Sequence, residues 1–182
     1  MKDVELKLIA ELMKNSRRSD RELAKTIGVS QPTVSRMIKK LEKEGYIKEY
    51  TMIPDFRKLG FELMSLVYVS YSKGSTDKEV EETRKVAREI TSKNPEPILM
   101  VATGMGLGYD RLIVSFHEDY SSYVKHKAIA RQLPHLDQHH VESFLLNPDG
   151  NHYQPFTFSV IAQYLSTRKA KTEQAIGKEK KE

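Results

Sequence analysis

The chain of 182 residues contains no cysteine, which excludes both a disulfide framework and a thiolate metal centre. No stretch approaches the ~20 apolar residues that span a bilayer, and no charged-then-apolar leader precedes Asp3. Apolar residues are sparse, at 38% against 30% charged, so there is core material for one large or two small domains. The expectation is a soluble cytoplasmic protein with no membrane partner. What the chain does have is an uneven excess of positive charge. Residues 1–60 carry 14 Lys+Arg against 9 Asp+Glu, 61–165 carry 10 against 13, and 166–182 carry 6 against 3. A basic head and tail on a slightly acidic middle is the distribution of a polyanion-binding head on a neutral body.

Local signals in the head are dense. Asp3 to Asn15 reads as a helix capped by Asp3, with Leu6, Ile9, Ala10 and Met13 as its inward stripe. Ser19 with Glu22 three residues on is a capping box for a second helix, whose Leu23, Ala24 and Ile27 share a side. Gly28 supplies the positive φ of a corner, and Ser30 and Pro32 open a third helix. In that helix Val34, Met37, Ile38 and Leu41 face inward, and Gly45 ends it. Gln31, Thr33, Ser35, Arg36, Lys39, Lys40 and Lys43 are left outside. Two helices joined by a Gly-containing corner predict a helix-turn-helix whose second helix enters the major groove of double-stranded DNA. Arg36 and Gln31 are the expected base contacts, assisted by Ser35 and Thr33. Ser30, Lys39, Lys40, Arg17 and Arg18 are expected on phosphates. Residues 45–50 alternate like the strand of a wing.

Beyond a bridge at Met52–Gly60 the pattern changes to strand, helix, strand, strand, helix, strand. The segments are Phe61–Ser72, Asp77–Lys93, Ile98–Thr103, Arg111–Phe116, a helix from an Asp119 cap to Gln132, and Gln138–Leu146. This is a ferredoxin-like βαββαβ order, an antiparallel sheet with two helices on one face. The other face, assigned residues such as Tyr68, Val69 and Ile113, should be covered by a second subunit. The fold class is therefore α+β, with a winged helix-turn-helix at 1–60, a ferredoxin-like domain at 61–150 and an extension at 151–182. Within the extension, 153–165 fits strand or helix, and 166–182 reads as a frayed helix or disordered tail.

The opening ELKLIAEL, the run ELAKTIGVSQPTVSRMIKKLEKEGYIKEY, the bridge PDFRKLGF and the later Thr103-Gly104…Tyr109-Asp110 resemble the Lrp/AsnC family of transcriptional regulators. The resemblance is specific over 1–60, moderate over 61–146 and absent beyond 150. It implies a homodimer or higher oligomer built on the C-terminal sheets, paired DNA half-sites, and often an amino acid or other small effector between subunits. Thr103, Gly104, Gly106, Gly108, Tyr109 and Asp110 become the effector candidates, although Met105–Gly108 lengthens the family's TG-x-Y-D segment. The glycine-rich loop reads either as a cradle of bare N–H groups or as a loose hairpin.

His135, His139 and His140, with Asp137 and Glu142 nearby, are the one grouping with metal-ligand chemistry. In a strand His139 and His140 point to opposite faces, so no metal is assigned. No cofactor, catalytic pair or nucleophile is assigned either. Two alternatives stand beside the regulator. One is a tetrapyrrole-processing enzyme, since sirohaem decarboxylases resemble the same architecture. The other is an effector-binding module without DNA binding.

Overall fold

The computed structural model describes residues 1–93, 96–148, 150 and 156–167. The chain divides into two compact units, Met1–Ile53 with the described part of 154–182, and Pro54–Tyr153.

The head is three helices: α1 (Asp3–Lys14), α2 (Asp20–Ile27) and α3 (Gln31–Lys43). The capping box forms as its residues dictate. The Glu22 N–H donates to Ser19 Oγ at 3.3 Å, and the Ser19 N–H donates to Glu22 Oε2 at 2.7 Å. Gly28 takes φ +77° at the corner. Gly45, at φ +74°, closes α3 in a Schellman arrangement, its N–H on Glu42 O and the Tyr46 N–H on Leu41 O at 2.9 Å. Leu8, Leu12, Leu23, Ala24, Val34, Met37 and Leu41 are the buried core, with Ile27, Ile38 and Ile47 packed against it.

Three expectations for this unit are corrected. The cap of α1 is Lys2, not Asp3; the Glu5 carboxylate reaches back to the Lys2 N–H at 2.6 Å. The inward stripe of α1 runs through Glu5, Leu8, Ala10 and Leu12, leaving Leu6, Ile9 and Met13 half-buried. Apolar residues occupy most of this helix's circumference, so its partners rather than its period choose the face. No strand forms over 45–50, because among the described residues no second strand lies in register with it. The segment is pinned instead by Ile47 in the core and by the Tyr50 hydroxyl, which donates to Glu42 Oε1 at 2.9 Å. Burial, then the neighbouring Glu42 carboxylate, pushes that phenol up to about 12. Of the C-terminal extension, 159–167 is helical, and Ala162 within it is fully buried. The expectations for 151–155 and 168–182 lie outside the described residues.

The second unit is the predicted βαββαβ order: β1 (Leu63–Tyr71), α4 (Asp77–Lys93), β2 (Ile98–Gly106), β3 (Tyr109–His117), α5 (Tyr120–Arg131) and β4 (Leu136–Leu146). Its antiparallel sheet runs β2-β3-β1-β4. Asp119 caps α5, accepting the Ser122 N–H at 2.6 Å. The bridge packs onto this unit, with Phe56 stacked on Phe116 at 4.0 Å between ring centroids.

Strand parity sorts the sheet's faces. Ser65, Val67 and Val69 pair with Ser115, Ile113 and Arg111 on the helix-covered face. Leu66, Tyr68, Leu112 and Phe144 share the opposite face, where Phe144 is 60% exposed. Val69 and Ile113 therefore lie beneath the helices, contrary to expectation, and Tyr68 alone of the three faces outward.

At one end of the covered face the His117 ring, 2% exposed, joins Ser65 Oγ at 2.8 Å and Ser115 Oγ at 3.2 Å through Nε2. Burial, then the nearby His126, holds His117 down to about 4 from its ordinary 6.5. The unfolded chain therefore takes up this proton first. Its contribution is complete above pH 6.5 and is lost as pH falls from 6.5 through 4, on the order of 3 kcal/mol in all. Urea midpoints taken between pH 7 and pH 4 should show this loss, and His117→Gln should flatten it.

Candidate nucleic-acid interface

The outward face of α3 is where the sequence placed it. Gln31, Arg36, Lys39 and Lys43 are exposed, and Thr33 and Ser35 are half-buried. The packing stripe Val34-Met37-Leu41 faces the other way, so none of these polar side chains is held in the core. Ser30 occupies the N-cap position, but its hydroxyl meets Thr33 Oγ1 at 2.7 Å instead of capping a backbone N–H. Pro32 carries no N–H, and the Thr33 and Val34 N–H groups both donate to the Ser30 carbonyl, at 3.0 and 3.1 Å. Arg36 Nη2 lies 3.5 Å from Thr33 Oγ1, at the limit of a hydrogen bond, and is otherwise directed to solvent.

Two of the cations assigned to phosphate are engaged elsewhere. Lys40 Nζ donates to Glu5 Oε1 at 2.7 Å and lies 3.7 Å from Glu44. The Lys40 hydrogen bond, then the Lys2 N–H, hold the Glu5 carboxyl below its usual range, and Glu5 in turn raises Lys40. Glu5 is 3% exposed, so Lys40 supplies a largely buried carboxylate with its counter-charge. Arg18 binds Glu11 Oε2 through Nη1, and Thr26 Oγ1 and the Glu22 carbonyl through Nη2. Both side chains brace the helices. Arg17 keeps its exposure on the loop after α1.

The effector candidates occupy a tight hairpin rather than a loop. β2 continues through Gly104 to Gly106, which pairs with Tyr109 across a two-residue turn. Leu107 and Gly108 have φ of +55° and +79°, the two positive values of a type I′ turn. Much of the segment is structurally committed. Asp110 Oδ2 accepts the Tyr71 N–H at 2.9 Å, the Gly108 carbonyl accepts Ser70 Oγ at 2.7 Å, and the Tyr109 ring sits against Tyr68 and His140. Thr103 and Gly104 are exposed along the strand. A leucine at positive φ and 88% exposed is strained and gains nothing by burial. Leu107→Asn should therefore stabilise this unit by about 1 kcal/mol in urea unfolding, since Asn-Gly is the preferred type I′ pair.

The histidines separate. His135 Nε2 lies 3.1 Å from Glu82 and His140 Nδ1 lies 3.4 Å from Asp137. Sequence reasoning missed a different group, Arg111 and His126, which line a cavity between the helices and the sheet with Glu96. Arg111 alternates in phase with Ile113, Ser115 and His117, and that parity was the available signal of an inward-facing cation.

A family model described as winged helix-turn-helix DNA-binding matches residues 1–48. LrpC of Bacillus subtilis, an HTH-type transcriptional regulator, is 42% identical over 64 residues, covering 35% of this chain and 44% of LrpC. An uncharacterised HTH-type transcriptional regulator of Pyrococcus furiosus is 36% identical over 87 residues, covering 48% of this chain and 57% of the relative. These matches span only about half the length of each relative. The chain resembles the Lrp/AsnC regulators. Solved structures of transcriptional regulators share its fold. The crystal structure of PH0061 superposes with TM-score 0.67 at 24% identity, over 86% of this chain and 97% of that one. The structure of a Neisseria meningitidis transcriptional regulator in complex with L-Met superposes with TM-score 0.66 at 20% identity, over 88% of this chain and 99% of that one.

Proposed function

We propose that this protein is a sequence-specific DNA-binding transcriptional regulator, and not an enzyme, working in the cytoplasm. Among the described residues no helix is long and apolar enough to cross a membrane. The observation that carries the proposal is the free outer face of α3, with Gln31, Arg36 and Lys39 exposed at a helix-turn-helix corner. Arg36 and Gln31 read bases, Ser35 and Thr33 assist, and Lys39, Arg17 and the Ser30 end of α3 hold phosphates. Two copies joined through the open sheet face, which carries Leu66, Leu112 and Phe144, would present paired heads to half-sites about one helical turn apart. The Neisseria relative's L-Met complex supports control by a small effector, for which the exposed Thr103 and Gly104 on the hairpin are this chain's candidates.

The test is a mobility shift of the full chain on fragments of its own genome against random DNA, with and without amino acids, followed by footprinting. A subset of fragments should shift preferentially and show two-fold symmetric protection. Equal affinity for every fragment and for random DNA would overturn the assignment.

A further inference from the structure

Between α4, α5 and the sheet of the second unit lies a cavity of about 110 Å³. Most of its wall is apolar, formed by residues such as Val69, Ile90, Ile113, Ile129 and Leu133. Two of its polar groups lack hydrogen-bond partners among the described residues. Arg111 places a buried, unpaired Nε on the wall, and its guanidinium carbon lies 5.3 Å from the centre of the Tyr71 ring. His126 is 6% exposed, and neither ring nitrogen makes a hydrogen bond; Nδ1 is 3.5 Å from Glu96 Oε2 without the geometry of one. A buried guanidinium N–H left without a partner is costly in a low-dielectric interior unless an acceptor occupies the space it faces.

We infer that this cavity is a binding site for a small apolar monocarboxylate, with its carboxylate on Arg111 and its hydrocarbon body directed toward His126. The guanidinium fork matches a carboxylate's two oxygens, and the apolar wall takes the rest. A dry cavity of about 150 Å³ admits the six carbons of benzene, so this smaller one suits a body of about four to five carbons beyond the carboxylate. An α-amino acid fits less well. Arg111 pairs with Thr103, whereas Ile98, two residues beyond Glu96, pairs with Ser115. Four residues of strand set the Glu96 backbone about 13 Å from that of Arg111, so an ammonium held beside Arg111 would face a cation and a mostly apolar wall. The site is distinct from the hairpin residues Thr103–Asp110 and does not depend on DNA binding.

The experiment is calorimetric titration of the full-length protein, without DNA, using hexanoate, 1-hexanol, norleucine and inorganic phosphate. Hexanoate should bind, with norleucine and phosphate at least ten-fold weaker. Arg111→Gln, checked for native circular dichroism, should weaken hexanoate at least ten-fold without weakening 1-hexanol. Ala87→Phe, which fills the cavity from α4, should abolish both; if that variant does not fold, Arg111→Gln decides alone. No heat from hexanoate, equal binding of phosphate or norleucine, or an Arg111→Gln affinity matching wild type would each overturn the inference. None of these outcomes bears on the regulator assignment, which the mobility shift tests separately.

Discussion

Arg36→Ala should reduce binding to the selected DNA site by thirty-fold or more while changing binding to random DNA far less. The guanidinium is exposed on the first half of α3 and weakly tethered to Thr33. A bidentate Arg–guanine contact discriminates by roughly 1–3 kcal/mol, and a two-fold pair of heads doubles this to roughly 2–6 kcal/mol. Lys39→Ala should behave differently, weakening selected and random sequences alike, because a point charge on a phosphate carries no base information. Fluorescence anisotropy at one fixed salt concentration, on both DNAs and for both variants, checks the pair. Identical loss on both DNAs for Arg36→Ala would remove it from the base-reading set.

The second large effect concerns the scaffold beneath that surface. Leu41 is fully buried in the head core. Leu41→Ala deletes three carbons where α3 rests on the core and should cost about 3 kcal/mol. In a three-helix head with seven residues in its buried cluster, that is a large share of the available stability. DNA binding should fall steeply with temperature, while near-ultraviolet signals from the tyrosine-rich second unit remain native at 25 °C. Retention of wild-type affinity up to the wild-type melting temperature would show that α3 is held by something other than this packing.

These expectations trace which features were legible in the sequence. Most signals completed within a few residues were read correctly, namely Ser19 with Glu22, Gly28 at the corner, Gly45 after α3 and Asp119 before α5, while the side-chain caps expected of Asp3 and Ser30 do not form. Features that depend on distant partners were not. Glu5 is buried because Lys40, 35 positions away, meets it. The stripe of α1 is chosen by α2 and α3, since several of its faces are apolar enough to serve. The expected wing strand lacks a partner within the described residues. The glycine-rich segment reads as a loop from composition alone, and only the pairing of Gly106 with Tyr109 turns it into strand plus type I′ turn. The cavity was invisible because local periodicity says which face Arg111 occupies but not what stands opposite.

The internal pairing of Lys40 and Arg18 has a consequence for how the protein responds to ionic strength. Each cation placed on a phosphate releases condensed counterions and adds about −0.9 to the slope of log affinity against log salt. Four phosphate cations per head, Arg17, Arg18, Lys39 and Lys40, would give about −3.6. With Lys40 on Glu5 and Arg18 on Glu11, two remain, and the slope per head should be nearer −1.8. Such a protein would keep more of its hold on DNA as salt rises than its basic head suggests.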